Sequence, residues 1–159
     1  MIKVTLITLG KLKEKYLKDA VDEYKKRLSR YCNLEIVEIE PVKLPDKPSE
    51  NEINQALERE AAEIQKRIPK DSMVFTLCIE GKELSSTELA RKVENSSNMG
   101  KGITLIIGSS YGLSAKIKSD SDLRLSVSKM TFPHQLFRVM LLEQIYRAFK
   151  INEGSAYHK

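Results

Sequence analysis

Apolar residues along this chain keep two rhythms, and they alternate. Ile2 to Leu9 (IKVTLITL) is short and rich in β-branched residues and stops at Gly10, which predicts a strand. From Leu12 to Tyr31 the apolar positions (Leu12, Tyr16, Leu17, Ala20, Val21, Tyr24, Leu28, Tyr31) recur at intervals of three and four, which predicts a helix. Lysines and arginines, from Lys11 to Arg30, crowd its other face. Leu34 to Ile39 reads as a second strand, and Pro41, Pro45 and Pro48 bound a loop.

Ser49 followed by Glu52 is a capping box, and Ile53, Ala56, Leu57, Ala61, Ile64 and Ile68 form the helical stripe behind it. Met73 to Ile79 has strand length and is almost wholly apolar. Ser85 and Glu88 repeat the capping box and open a short helix through Val93, followed by an Asn/Ser/Gly-rich loop from Asn95 to Gly102. Ile103 to Ile107 is a further strand, Ser114 to Ser119 a short helix, and Leu123, Leu125 and Val127 alternate with polar residues. Pro133 to Phe149 is a last helix with Thr131 as its expected cap and Pro133 in its first turn. Its apolar positions exceed one stripe, which predicts a second buried face and a subunit interface. Strands apolar on every position, with helices between them, predict an α/β fold with a mainly parallel sheet and helices on both faces. Without repeat or linker, residues 1–159 are expected to be a single domain.

Composition narrows the function classes. No apolar run approaches the roughly 20 residues that span a bilayer, and the first residues lack a signal-peptide pattern. Lys and Arg outnumber Asp and Glu by 27 to 22, a net charge of +5 that permits a polyanionic partner without requiring one. Cys32 and Cys78 are the only cysteines and suit a reducing, cytoplasmic setting. Neither lies near His134 or His158 in sequence, so no zinc spacing exists and no metal is expected.

Ligands of open parallel sheets bind beyond the carboxyl ends of the strands. Three such ends stand out: Leu77 to Gly81, Gly108 to Gly112, and Val127 to His134. Gly108-Ser-Ser-Tyr-Gly112 has neither the Lys-Ser/Thr of a P-loop nor a dinucleotide fingerprint. His134 follows a strand at a helix start, as a plain polar residue or as a group facing a ligand. Arg138 and Arg147 belong to a polar minority on the last helix and read as a solvated face. Tyr157-His158-Lys159 reads either as a frayed end or as a ring, an imidazole and an ammonium suited to a base and a phosphate.

The blocks IKVTLITLGKLK, VFTLCIEGK, LIIGSSYGLS and SKMTFPHQLFRVMLLEQIYRAFKI, with the terminal YHK, run in order along the chain. They resemble the ribosomal RNA large subunit methyltransferase H family of the SPOUT class, with Ser109 where Gly is commoner. The resemblance implies a homodimer whose C-terminal part threads a loop to form a trefoil knot, a kind of connection that folds almost never make. It implies S-adenosylmethionine as cofactor, bound at Leu77, Gly108, Val127, Ser128, Lys129, Met130, Thr131 and Phe132. It also implies methylation of N3 of a pseudouridine in 23S rRNA within the 70S ribosome. Gly108 would then let backbone approach the cofactor, and Leu77, Val127, Met130 and Phe132 would wall an adenosine slot. His134 would accept the N3 proton or position the substrate. Tyr157 and His158 would complete the catalytic group, with Arg138, Arg147 and Lys159 on RNA. Two rival readings remain at this stage. One is a ribosome-associated RNA-binding protein without catalysis. The other, a flavodoxin-like regulator, lacks the expected acidic cluster, since Gly10, Glu40, Glu80 and Gly108 follow the strands.

Overall fold

A computed structural model describes residues 1–159. Five strands, β1 (Ile2–Leu9), β2 (Cys32–Ile39), β3 (Ser72–Glu83), β4 (Gly102–Ile107) and β5 (Leu123–Ser126), form one sheet. Their order is β2-β1-β4-β3-β5 and every pairing is parallel. Between them run α1 (Lys15–Leu28), α2 (Glu50–Arg67), α3 (Ser86–Asn98) and α4 (Ala115–Asp120), and α5 (His134–Asn152) follows β5.

Strand residues alternate between two cores, as the period of a strand dictates. Val4, Leu6, Phe75, Leu77, Ile103, Leu105 and Ile107 face a cluster completed by α1, α3 and α5. Ile7, Leu9, Ile39 and Ile106 face the opposite cluster, completed by Ala61 and Ile64 of α2 and Ile117 of α4. Helices therefore cover both faces, as the apolar strands require. No helix is long and apolar enough to cross a membrane.

Both capping boxes form. Ser49 Oγ accepts from the Glu52 N–H and the Ser49 N–H donates to Glu52 Oε1, each at 3.1 Å. Ser85 and Glu88 make the same reciprocal pair at 3.1 and 2.7 Å.

Four sequence expectations need correction. α3 runs on through Asn98, because Val93 and Ser96 are buried and Ser96 Oγ donates to the Gly102 carbonyl at 3.3 Å. Gly100, at φ 68°, then ends the turn. Thr131 does not cap α5. Pro133 takes that place, and its carbonyl accepts from Phe137 N–H at 2.9 Å to close the first turn. The apolar surplus of α5 is largely used inside the chain, where Leu141, Leu142, Ile145 and Ala148 are fully buried in the cluster shared with α1 and α3. Leu142 is thus no probe of a partner interface, whereas Leu136 is exposed.

The fourth correction concerns Arg138, which is inside. It is 4% exposed; Nη1 donates to Glu38 Oε2 at 2.7 Å and Nη2 to the Gly10 carbonyl at 3.1 Å. The pair ties the N-terminal part of α5 to the ends of β1 and β2, so both Nη groups are engaged by this chain rather than offered to a phosphate.

Candidate active site

The carboxyl ends of β3, β4 and β5 converge on a cavity of about 470 Å3. β4 ends at Ile107, and the Gly108–Gly112 turn lies next to it, closed by Gly112 N–H donating to the Ser109 carbonyl at 2.8 Å. The turn is braced from below: Ser109 Oγ donates at 3.0 Å to Oε1 of Glu60, a buried carboxylate of α2. The other Glu60 oxygen accepts from Val42 N–H at 3.0 Å. Ser109 lies at negative φ, so its side chain is accommodated where glycine is commoner.

β3 contributes an irregularity. Leu125 of β5 stands opposite both Leu77 and Lys82, so Cys78 to Gly81 lie outside the ladder. Cys78, Ile79 and Glu80 line the cavity as a result. Gly81 backs against β5, where a Cβ would come within 2.8 Å of the Arg124 and Leu125 backbone. After β5 the chain folds over the third side. Ser126 Oγ donates to the Ser128 carbonyl at 3.2 Å, and Ser128 Oγ accepts from Met130 N–H at 3.0 Å.

Seven of the eight residues expected to meet a cofactor line this one cavity: Leu77, Gly108, Val127, Ser128, Met130, Thr131 and Phe132. Lys129 is exposed and does not line it. His134 stands on the rim, where loss of hydration lowers its pKa from the ordinary imidazole value and favours the neutral ring. Leu77, Ile107, Val127, Phe132 and Phe137 give apolar walls, and Ser126, Ser128 and Thr131 give hydroxyls. An apolar slot with a few placed polar groups is what a nucleoside needs.

The glycine at position 108 has a more local reason than close approach of a ligand. A Cβ there would lie 2.6 Å from Gly112 C and 2.9 Å from Leu113 Cγ. Gly108→Ala is therefore expected to force the turn apart and to cost about 1–3 kcal/mol, as overpacking does. A urea midpoint equal to that of the unaltered protein would contradict this. Variants at Gly108 thus test the turn and the ligand together.

The tail lies elsewhere. Tyr157 is packed against the far part of α5: its hydroxyl donates to Glu143 Oε2 at 3.0 Å, and its ring meets Tyr146 edge-on at 5.2 Å. The Arg147 guanidinium sits 4.8 Å from the Tyr157 ring centroid and 3.2 Å from His158 Nδ1, and is paired with Glu143 Oε1 at 2.7 Å. Burial, then the Glu143 carboxylate, raises the Tyr157 pKa and pushes nearby Tyr24 up to about 12. Arg147 is 13 positions from His134, about 20 Å along a helix. Tyr157 and His158 thus form a group with Arg147 and Glu143, away from the cavity of their own chain, and Lys159 is exposed.

Some site residues were not anticipated. Glu60 braces the turn from an otherwise ordinary helical stripe. Glu80 and Lys118, joined at 2.6 Å, are the two fully charged side chains on the cavity wall. The signal for buried Arg138 was present, since it lies three and four positions before Leu141 and Leu142 and so on their face.

Comparison with known proteins identifies the family. The family profile described as "Predicted SPOUT methyltransferase" matches residues 2–158. A ribosomal RNA large subunit methyltransferase H of Bifidobacterium adolescentis is 54% identical over 159 residues, covering 99% of this chain and 100% of that one. A protein of the same name from Clostridium perfringens is 51% identical over 157 residues, covering 98% and 99%. Among solved structures, a probable methylase family protein from Haemophilus influenzae Rd KW20 shares the fold at TM-score 0.56 and 14% identity. That match covers all of this chain and 72% of the other. With the profile spanning nearly every residue and full-length relatives above half identity, the chain belongs to the SPOUT methyltransferase family and is an enzyme of that class.

Proposed function

We propose that this enzyme transfers a methyl group from S-adenosylmethionine to N3 of a pseudouridine in 23S rRNA, acting as a homodimer on the 70S ribosome in the cytoplasm. The observation that carries the reading is the single cavity in which Leu77, Gly108 and the Val127–Phe132 segment meet. The names of the relatives supply the class of RNA. The trefoil knot belongs to the same reading, with the segment after β5 as its threaded part.

The residues present fit the cofactor. Leu77, Ile107, Val127 and Phe132 would enclose the adenosine, and backbone groups of the tight Gly108–Gly112 turn would meet its polar edge. When bound, S-adenosylmethionine supplies an electrophilic methyl on a sulfonium, a good leaving group. The chain's own task is then alignment and exclusion of water. As N3 is methylated, its proton would pass to solvent water. His134, neutral at the rim, offers a ring nitrogen to that edge; we assign it the positioning of the base.

A homodimer explains two features. Ile79, Tyr111 and Met130 stand exposed around the cavity mouth, with Leu136 exposed on the adjoining helix turn. The Tyr157–Lys159 tail is packed away from its own cavity, so its catalytic part is played in the partner's. There Tyr157 would wall off the base, His158 would orient it, and Arg147 and Lys159 would meet phosphate.

Calorimetric titration with S-adenosylmethionine is the direct test of the cofactor, with one molecule expected per chain. Sedimentation at micromolar concentration is expected to show a dimer. Absence of binding by the folded protein would overturn the cofactor reading, and a fully active monomer the assignment of the tail.

A further inference from the structure

The cavity wall is apolar or hydroxylic almost everywhere. Beyond the Cys78 thiol and the His134 ring, its exceptions are one carboxylate and one ammonium from different elements: Glu80 on the displaced stretch of β3, and Lys118 on α4. Lys118 Nζ donates to Glu80 Oε1 at 2.6 Å. Lys118 is three-quarters buried, its side chain 25% exposed. An ammonium has three donors and a carboxylate has two oxygens, so the pair keeps capacity for a ligand: two N–H groups and Oε2. The hydrogen bond from Lys118 holds the Glu80 carboxyl below its usual range. Displacements of this kind re-aim side chains. Here the departure of Cys78–Gly81 from the ladder puts Glu80 on the cavity wall.

We propose that Glu80 and Lys118 form a subsite for the α-amino-acid end of the cofactor, Glu80 accepting from its α-ammonium and Lys118 donating to its α-carboxylate. The inference rests on the cofactor reading above and adds which of its ends lies at the junction of β3 and α4. Complementarity is the argument. Adenosine carries no charge at neutral pH, and the α-amino-acid group beyond the sulfonium carries one charge of each sign. The wall has one charge of each sign already joined, so neither side chain must be newly ordered. Charge-assisted hydrogen bonds of this type are the stronger class. The pair also gives a reason to reject analogues that lack either charge, since the wall's own groups would then stay unmatched.

Three ligands separate the possibilities by calorimetry: S-adenosylmethionine, its decarboxylated form, and 5′-methylthioadenosine, which lacks the whole amino-acid end. Lys118→Met is expected to weaken S-adenosylmethionine about tenfold, the worth of one such bond. It should leave the decarboxylated form and 5′-methylthioadenosine within twofold. Glu80→Gln is expected to weaken both ammonium-bearing ligands about tenfold and to spare 5′-methylthioadenosine. Retained binding of 5′-methylthioadenosine reports that the cavity itself is intact in each variant. Equal losses on all three ligands, or no loss on any, would overturn the assignment. Failure of the unaltered protein to bind any of the three would instead remove the cofactor reading, and this inference with it.

Discussion

Deleting residues 157–159 is expected to cut methyl transfer to ribosomes roughly 100-fold or more, the scale of losing substrate alignment, while S-adenosylmethionine binding stays within twofold. The tail makes no part of its own chain's cavity, so cofactor contacts survive the deletion. What is lost is the group assembled on Arg147 and Glu143: the Tyr157 ring under the guanidinium and the His158 ring beside it. These are pre-positioned outside the cavity, as a group contributed to a partner would be. The dimer is expected to persist, because the core face of α5 is untouched. Steady-state transfer and calorimetry on the truncated protein check this together. Unchanged turnover would refute the catalytic placement of Tyr157 and His158.

The second large effect concerns stability. Glu38→Ala is expected to destabilise the fold by about 3–5 kcal/mol, because it leaves the buried Arg138 charge without its partner. Arg138 is 4% exposed, and its Nε already lacks a hydrogen-bond partner. Glu38 keeps a side-chain exposure of 36%, which places the effect toward the lower end of that range. Arg138→Met, which removes the charge and keeps much of the stem, should cost less than Glu38→Ala. Chemical denaturation of both variants measures the order. A Glu38→Ala loss under 1 kcal/mol would mean that the pair does not anchor α5 to β1 and β2.

The contrast between Arg138 and Arg147 shows where sequence reading succeeds and fails. Both looked like members of a polar face. Arg138 lies on the buried stripe and found a carboxylate at the end of β2, a hundred residues away. Arg147 lies four residues after Glu143 and found its partner within the helix. Local partners follow from spacing, whereas distant ones depend on the strand order β2-β1-β4-β3-β5, which no spacing encodes.

The same division runs through the fold. The starts of α2 and α3 were readable because a capping box is a local device. The continuation of β3 to Glu83 was not, because the strand leaves the ladder after Leu77 and rejoins β5 only at Lys82 and Glu83. α3 outran its apolar stripe because Ser96 is buried against the sheet rather than exposed in a loop. The cavity was legible as three strand ends, since parallel sheets gather ligands there. Its braces, Glu60 on Ser109 and Lys118 on Glu80, were not, since each joins residues 38 or more positions apart.

The central claim is methyl transfer to one base of ribosomal RNA, and labelled S-adenosylmethionine tests it most directly. Purified 70S ribosomes and free 23S rRNA, each lacking the modification, would be incubated with the protein and the labelled base mapped. The account predicts stoichiometric label at N3 of a single pseudouridine of 23S rRNA, with intact ribosomes much preferred over free RNA. Label on another RNA or another atom, or none from a protein that binds the cofactor, would contradict it.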